Sequence, residues 1–558
     1  MKYFLTLLLS LSATITWSQS VNAPLNEDYY HWVDRYEIKD GIINEYFHSS
    51  WKPYLRSDIA QFLQNRKNEN ASSVDQFNQN YLTNDNWEWA DSVDNESRKP
   101  FLRHFYKVKS DLYHVNQPDF DLHVNPVLYL GAGMESSNDT RTFINTRGVE
   151  IRGMVDRKLG FYSFIGENQV IFPEYVRSSI EQNLVVPQEG FWKNFKDDGV
   201  DFFTARGYIS FQATKHINLQ FGHDRFKVGN GYRSMILSDN APAYLFLKMS
   251  TQVWKIKYTN LFTQLTADVI RSGSGLLGND RYPSKYMSMH HLSVNVGKKL
   301  NIGVFESVVF GVDSARSDQL DIQYLNPIIF YRAIEQQNGS PDNVLLGLDF
   351  KWLVAKKLSL YGQLTLDEFL LDNLKEGNGW WANKFGVQLG GEYVDIFGIN
   401  NLDIQGELNL ARPYTYSHSS SYGSYSQYRQ SLAHPLGANF NELVGIIRYQ
   451  PIGKLMLQAK VIKANFGSDP DATQNFGGNI LLDNTSRVSN FGNEIGQGVS
   501  NDLLYGNFTV SYQWRHNFFI DLSHTYRKVD SDDVANNTNT NYTSAAIRWN
   551  IPQRLNEF

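Results

Sequence analysis

Five tyrosines fall within the fifteen residues YTYSHSSSYGSYSQY, 414–428: Tyr414, Tyr416, Tyr422, Tyr425 and Tyr428, spaced mostly by serine. Sugar C–H faces stack on aromatic rings, and sugar hydroxyls need paired donors and acceptors, so rings beside hydroxyl and amide groups suit a carbohydrate ligand. Trp192 in EGFWKNF and Tyr232 with Arg233 in GNGYRS offer the same chemistry in two other polar stretches. These eight residues are the candidate polysaccharide contacts. The alternative reading of each stretch is a solvated low-complexity spacer. In either reading the 414–428 stretch is expected to be solvated, with tyrosines that bury little area on folding.

Catalytic and metal-binding patterns are missing. His290 and His291 occupy adjacent strand positions and point to opposite faces, and His223, Asp224 and Arg225 fail as a constellation in the same way. No nucleophile elbow marks a hydrolase, and the chain has no cysteine, so no thiolate metal site or disulfide framework is available. We therefore expect neither an enzyme nor a cofactor. A net charge of −6 with no basic stripe argues against nucleic acid as a partner.

The elements that must hold these residues are strands. In NLDIQGELNLA, Leu402, Ile404, Leu408 and Leu410 alternate with Asp403, Gln405, Glu407 and Asn409. LSLYGQLTLDEF and FTVSYQWR repeat the pattern, giving one apolar and one polar face per strand. Such a face fits a sandwich core or lipid equally well. Connection lengths separate the two.

Short basic turns recur at 157–160, 214–217, 297–301, 355–359, 452–454 and 515–517, with further turns placed at Ser250–Thr251 and 396–400. Between them lie long polar segments: 173–200, 229–242, 268–285, 314–342, 413–438, 466–502 and 530–540, with shorter ones near 136–140 and 373–378. Alternation of nine long loops with eight short turns predicts a transmembrane antiparallel β-barrel of about 18 strands over residues 116–558, long loops outside and short turns in the periplasm. A secreted sandwich or propeller has no reason to segregate its loops by length. Charged residues of the polar faces, Arg206, Asp224, Asp367, Asp403, Glu407, Asp521 and Arg527, then face the lumen. There they form either a mixed ion-paired filling or a selectivity ring. Phe558 ends the chain as barrel-assembly signals commonly do, although Pro552 puts it out of register with Ile547, Trp549 and Ile551.

Residues 1–18 read as a cleaved secretory signal: Lys2 precedes a largely apolar run from Tyr3 to Ile15, too short for a helix across a bilayer about 30 Å thick. Residues 19–115 read as a small helical segment. Ser57 and Asp58 precede Ile59, Phe62 and Leu63, and Ser73 with Gln76 forms a capping-box pattern. Because both ends of an even-stranded barrel lie on one side, this segment is expected to cap or plug the periplasmic mouth.

Three longer stretches carry a resemblance. FGHDRFKVGNGYRSMILSDNAPAYLFLKMSTQVWKIKYTNLF (221–262), VGKKLNIGVFESVVFG (296–311) and the segment 320–352 that starts LDIQYLNPIIFYR are similar to the capsule assembly Wzi family, most of all to its gliding-motility branch, RemB. The resemblance implies an outer-membrane barrel with a periplasmic helical cap that binds or tethers surface polysaccharide without catalysis. By the same resemblance it is expected to serve capsule assembly, or gliding and adhesion, beside capsule-export or gliding machinery. The competing expectation is a porin admitting small solutes. A TonB-dependent transporter does not fit, since the N-terminal segment is too small for that plug.

Overall fold

In the computed structural model, described residues are 20–66, 71–91, 95–136, 141–267, 284–311, 321–328, 330–338 and 342–558. The signal segment 1–18, most of the connection 268–285 and part of the connection 314–342 lie outside them. Eighteen antiparallel strands, from Phe120–Glu135 to Thr538–Trp549, form a closed barrel. It closes where the last strand pairs with the first, Trp549 opposite Leu128 and Tyr542 opposite Glu135. Closure leaves no edge strand unpaired, which a sheet surrounded by hydrocarbon requires.

Alternation fixes which way each face looks. Asp403, Gln405, Glu407 and Asn409 are buried inside, while Ile404, Leu408, Leu443, Ile447, Val461, Leu504, Phe508 and Leu522 are exposed outside. Polar interior and apolar exterior invert the order of a water-soluble protein, and lipid is the solvent that favours this order. Exposed Trp254, Trp352, Tyr393, Phe397, Tyr512 and Trp514 cluster at the short-turn end, as the amphipathic rings of a membrane interface do.

Eight short turns and nine long connections alternate around the barrel, as the sequence predicts. One turn is displaced: Ser250 and Thr251 remain paired within Tyr244–Val253, and the chain reverses at Trp254–Lys255. Two flanking side chains could not reveal this, because Ser and Thr suit strands as well as turns.

Among the described residues three helices precede the barrel: α1 (Glu27–Asp40), α2 (Arg56–Asn65) and α3 (Ser73–Asp85). Asn26 caps α1 and Gly41, at φ 67°, ends it. The capping box of α3 lies one residue before the expected pair, with Ser72 Oγ accepting from Asp75 N and the Asp75 carboxylate accepting from Ser72 N. Tyr29, Tyr30, Trp32, Tyr36, Phe47, Tyr54, Phe62 and Tyr81 make an aromatic core among these helices. The unit sits on the short-turn end of the barrel. Ile43 N donates to Lys298 O at 2.8 Å, Lys357 N to Ile38 O at 3.3 Å, and Phe77 packs on Gly453.

Candidate functional site

The lumen is the site, and it is built from four inward-turned segments. First comes α1, whose polar face enters the barrel and pairs with its inner wall. Arg35 Nε lies 2.9 Å from Asp403, and its other nitrogens reach Asp395 and, at 3.4 Å, Asp75. His31 bridges Glu392 at 3.0 Å and Asp403 at 3.1 Å, and Lys351 meets Glu37 at 2.5 Å. Burial alone would raise Asp75, yet Arg35 and Lys39 hold its carboxyl down to about 2. Removing one partner of such a buried pair costs about 3–5 kcal/mol, so the helix is firmly seated.

The second segment is 225–242. It follows the short strand Ile217–Asp224, so the chain leaves the wall early and has the lumen beside it. There Val228 pairs with Trp51, a two-residue sheet joining the loop to the helical unit. Gly229, at φ 110°, passes against the Gln363 side chain, where a Cβ would collide at 2.0 Å. Met235 N donates to Gln363 at 2.7 Å.

The structure turns Tyr232 and Arg233 inward, onto the wall of the lumen, rather than outward. Arg233 pairs with Glu442 at 3.0 Å and Glu557 at 2.7 Å, between the rings of Tyr232 and Phe558, each 4.9 Å away. Tyr232 Oη accepts from Lys460 at 2.5 Å and meets Glu557 as well. The arginine is a hub of buried charge.

The third segment is the C-terminus. After Trp549 the chain turns inside the barrel, placing Arg554 beside Asn168, Glu557 on Lys460 and Phe558 near His434. Phe558 therefore does not end on the lipid face, where an aromatic assembly signal would lie. Pro552, the residue out of keeping with a strand, marks the departure.

The fourth is the tyrosine stretch, and here the expectation of a solvated loop is corrected. Tyr414, Tyr416 and Tyr425 are fully buried. Tyr416 Oη donates to Met235 O at 2.6 Å, Tyr414 Oη to Asn475 O at 2.8 Å, and the Tyr416 and Tyr425 rings stack at 5.9 Å. Lys285 Nζ donates to Ser424 O at 2.6 Å and to Ser426 Oγ at 3.0 Å. The Tyr414 and Tyr416 hydroxyls, which suit a sugar, are instead answered by protein, because the loop folds over the barrel mouth onto segment 225–242. Tyr422 and Tyr428 stay half-buried, the latter edge-on to Phe191 at 5.2 Å. Trp192 is also half-buried, against the cluster of Val170, Phe172 and Tyr175.

These segments leave a cavity of about 450 Å³. Its floor is Asn26, His31 and Asp34, and exposed Asn183 and Asn479 lie on its outer rim. Of the wall charges, Asp367 pairs with Lys384 at 2.9 Å, Asp521 with Arg548, and Glu407 accepts from the backbone of Tyr232 and Arg233. Asp367, Asp403 and Asp521 are thus ion-paired, whereas Arg206, Asp224 and Arg527 form no ion pair among the described residues, and these groups make no ring of one sign.

Comparison with solved structures follows this geometry. The chain is similar to Wzi of Escherichia coli, an outer membrane protein involved in group 1 capsule assembly and described as a carbohydrate-binding β-barrel, with a TM-score of 0.57 and 15% identity over 96% of this chain and 99% of that one. The likeness shows the fold. Pseudomonas aeruginosa OccK7 (TM-score 0.41, 7% identity, 78% of this chain and 99% of that one) and OprD (0.42, 9%, 77% and 94%) are more distant. No family model and no curated protein sequence matches the chain.

Proposed function

We propose that this protein is an outer-membrane barrel that binds or tethers surface polysaccharide at its loop end, in capsule assembly or in gliding and surface adhesion, next to capsule-export or gliding machinery. The observation that carries the reading is the occupied lumen: helix α1, segment 225–242, the tyrosine stretch and the C-terminal tail stand where a porin needs an aqueous path. A carbohydrate-binding barrel of the same fold supports the choice of ligand. Trp192, Tyr232, Tyr422 and Tyr428 remain the aromatic contacts proposed for it, since each keeps partial exposure.

In this reading residues 1–18 direct export, and the helical unit of residues 19–115 faces the periplasm. An epitope inserted after Ser421 is then labelled on intact cells, whereas one between Lys298 and Lys299 needs permeabilised cells; equal labelling refutes the orientation. For function, the purified protein in planar bilayers is expected to show no porin-like conductance and to bind cell-surface polysaccharide on a glycan array. An open-channel conductance without glycan binding would restore the porin.

A further inference from the structure

Most lumenal arginines come with acids. Arg35 has Asp395 and Asp403, Arg56 has Asp85, Arg233 has Glu442 and Glu557, and Arg548 has Asp521. Some do not, and three of these lie together. Arg206, Arg225 and Arg554 line one chamber of about 130 Å³, and among the described residues none of them forms an ion pair.

Their hydrogen bonding is equally incomplete. Arg225 Nη1 donates to Asp239 O at 2.7 Å, but its buried Nε has no partner among the described residues. Arg554 makes one bond, to Asn168 Oδ1 at 3.1 Å. The Arg206 guanidinium lies 5.8 Å from the centre of the Phe164 ring and has no hydrogen bond among the described residues. Asp85, Glu150, Glu189, Asp224 and Asp239 are the carboxylates nearby; Asp85 pairs with Arg56 at 2.8 Å, and Asp239 sits 3.8 Å from Lys227 instead. Burial, and then the neighbouring Arg206 charge, pushes Arg225 down to about 10. Arg225 is buried and Arg206 and Arg554 are half-buried; cations so withdrawn from water without salt-bridging acids cost free energy unless an anion joins them, and guanidinium forks are built to bind a carboxylate in two places at once.

The chamber is not isolated. Arg225, Gln188 and Gln553 line both it and the large cavity that reaches the outer rim at Asn183 and Asn479. Amide groups of Asn125, Asn168 and Gln553 surround the arginines with both donors and acceptors, which sugar hydroxyls need.

We propose that Arg206, Arg225 and Arg554 form an anion-binding site that takes the carboxylate of an acidic sugar residue, with the rest of the glycan rising through the large cavity to the rim. The site rests on the glycan-binding reading and names its substrate class: polysaccharide carrying uronic acid. One carboxylate exchanging contacts with three guanidinium groups makes binding sensitive to salt.

The test is calorimetry on the full-length, detergent-solubilised protein with a galacturonate trimer, a neutral galactose trimer and inorganic phosphate. The parent is expected to bind the acidic trimer, and Arg206→Gln and Arg554→Gln each to weaken it at least tenfold, with Arg554→Lys recovering part of the loss. Unchanged heat-resistant mobility on gels shows that each variant is folded. If a variant that keeps this mobility binds the acidic trimer like the parent, the site is wrong and glycan binding stands. Phosphate displacing the trimer at equal concentration overturns the sugar assignment. No binding of acidic or neutral glycan, including the native polysaccharide, overturns the glycan reading and this site together.

Discussion

The α1 floor and the arginine chamber sit in the same lumen and spend charge in opposite ways. Around Arg35 and His31, cations and carboxylates interlock within hydrogen-bond distance, and the result is a seated helix. Around Arg206, Arg225 and Arg554 the cations outnumber what holds them, and an open chamber remains. Buried charge that is paired builds structure; buried charge left without a partner marks a place for a ligand. The first kind is costly to remove, and the second should be cheap.

The largest effect is expected for Arg35→Ala, which leaves Asp395, Asp403 and Asp75 without their shared cation. Loss of about 3–5 kcal/mol in the stability of the helical unit should appear as rapid proteolysis between residues 20 and 111 while the barrel keeps its heat-resistant mobility. Next comes Tyr416→Ala, which removes a buried ring and its bond to Met235. About 3 kcal/mol is the ordinary cost of such a truncation, read as a lower thermal unfolding midpoint. A solvated spacer would give no change.

pH should act on the floor with two signs. Burial, then Lys257 and His291, pushes His48 down to about 3, so its neutral form is favoured by folding; its contribution is complete above about pH 6.5 and is lost as pH falls toward 3. His31 opposes this: although burial and Arg448 favour the neutral ring, Asp403 and Glu392 raise it, so its contribution is present at low pH and lost as pH rises past its folded value. Protease resistance of the helical unit should therefore peak between the two limbs. His48→Gln is expected to flatten the acid limb, whose slope is at most about 1.4 kcal/mol per pH unit, and His31→Gln the alkaline one.

The smallest effect sharpens the comparison most. Arg554→Gln should change stability by no more than about 0.5 kcal/mol, or raise it, because it removes a charge that no acid balances. A loss as large as that of Arg35→Ala would show that the chamber is structural after all.

Period-two alternation in stretches such as NLDIQGELNLA decided the faces of the strands, since a one-residue step always turns a side chain to the other side of a sheet. Together with the long-short rhythm of the connections, it determined the barrel, its strand number, and a lumen lined by Asp403, Glu407 and Asp521. The helical N-terminal unit was legible for the same local reason, save one residue in its capping box.

Tertiary structure alone decided what fills the barrel. A polar loop rich in Tyr and Ser satisfies its hydroxyls equally well in water or against other polar segments, so 414–428 carries no local mark of the direction it folds. Tyr416 reaches Met235, Arg233 reaches Glu442 and Glu557, and Phe558 lies near His434, across separations of 181, 209, 324 and 124 residues, each the difference of the two residue numbers. Only closure of the wall brings such groups together. The lumen it creates is wide enough to be filled, and most of the charges buried there are paired because burial without a partner is costly.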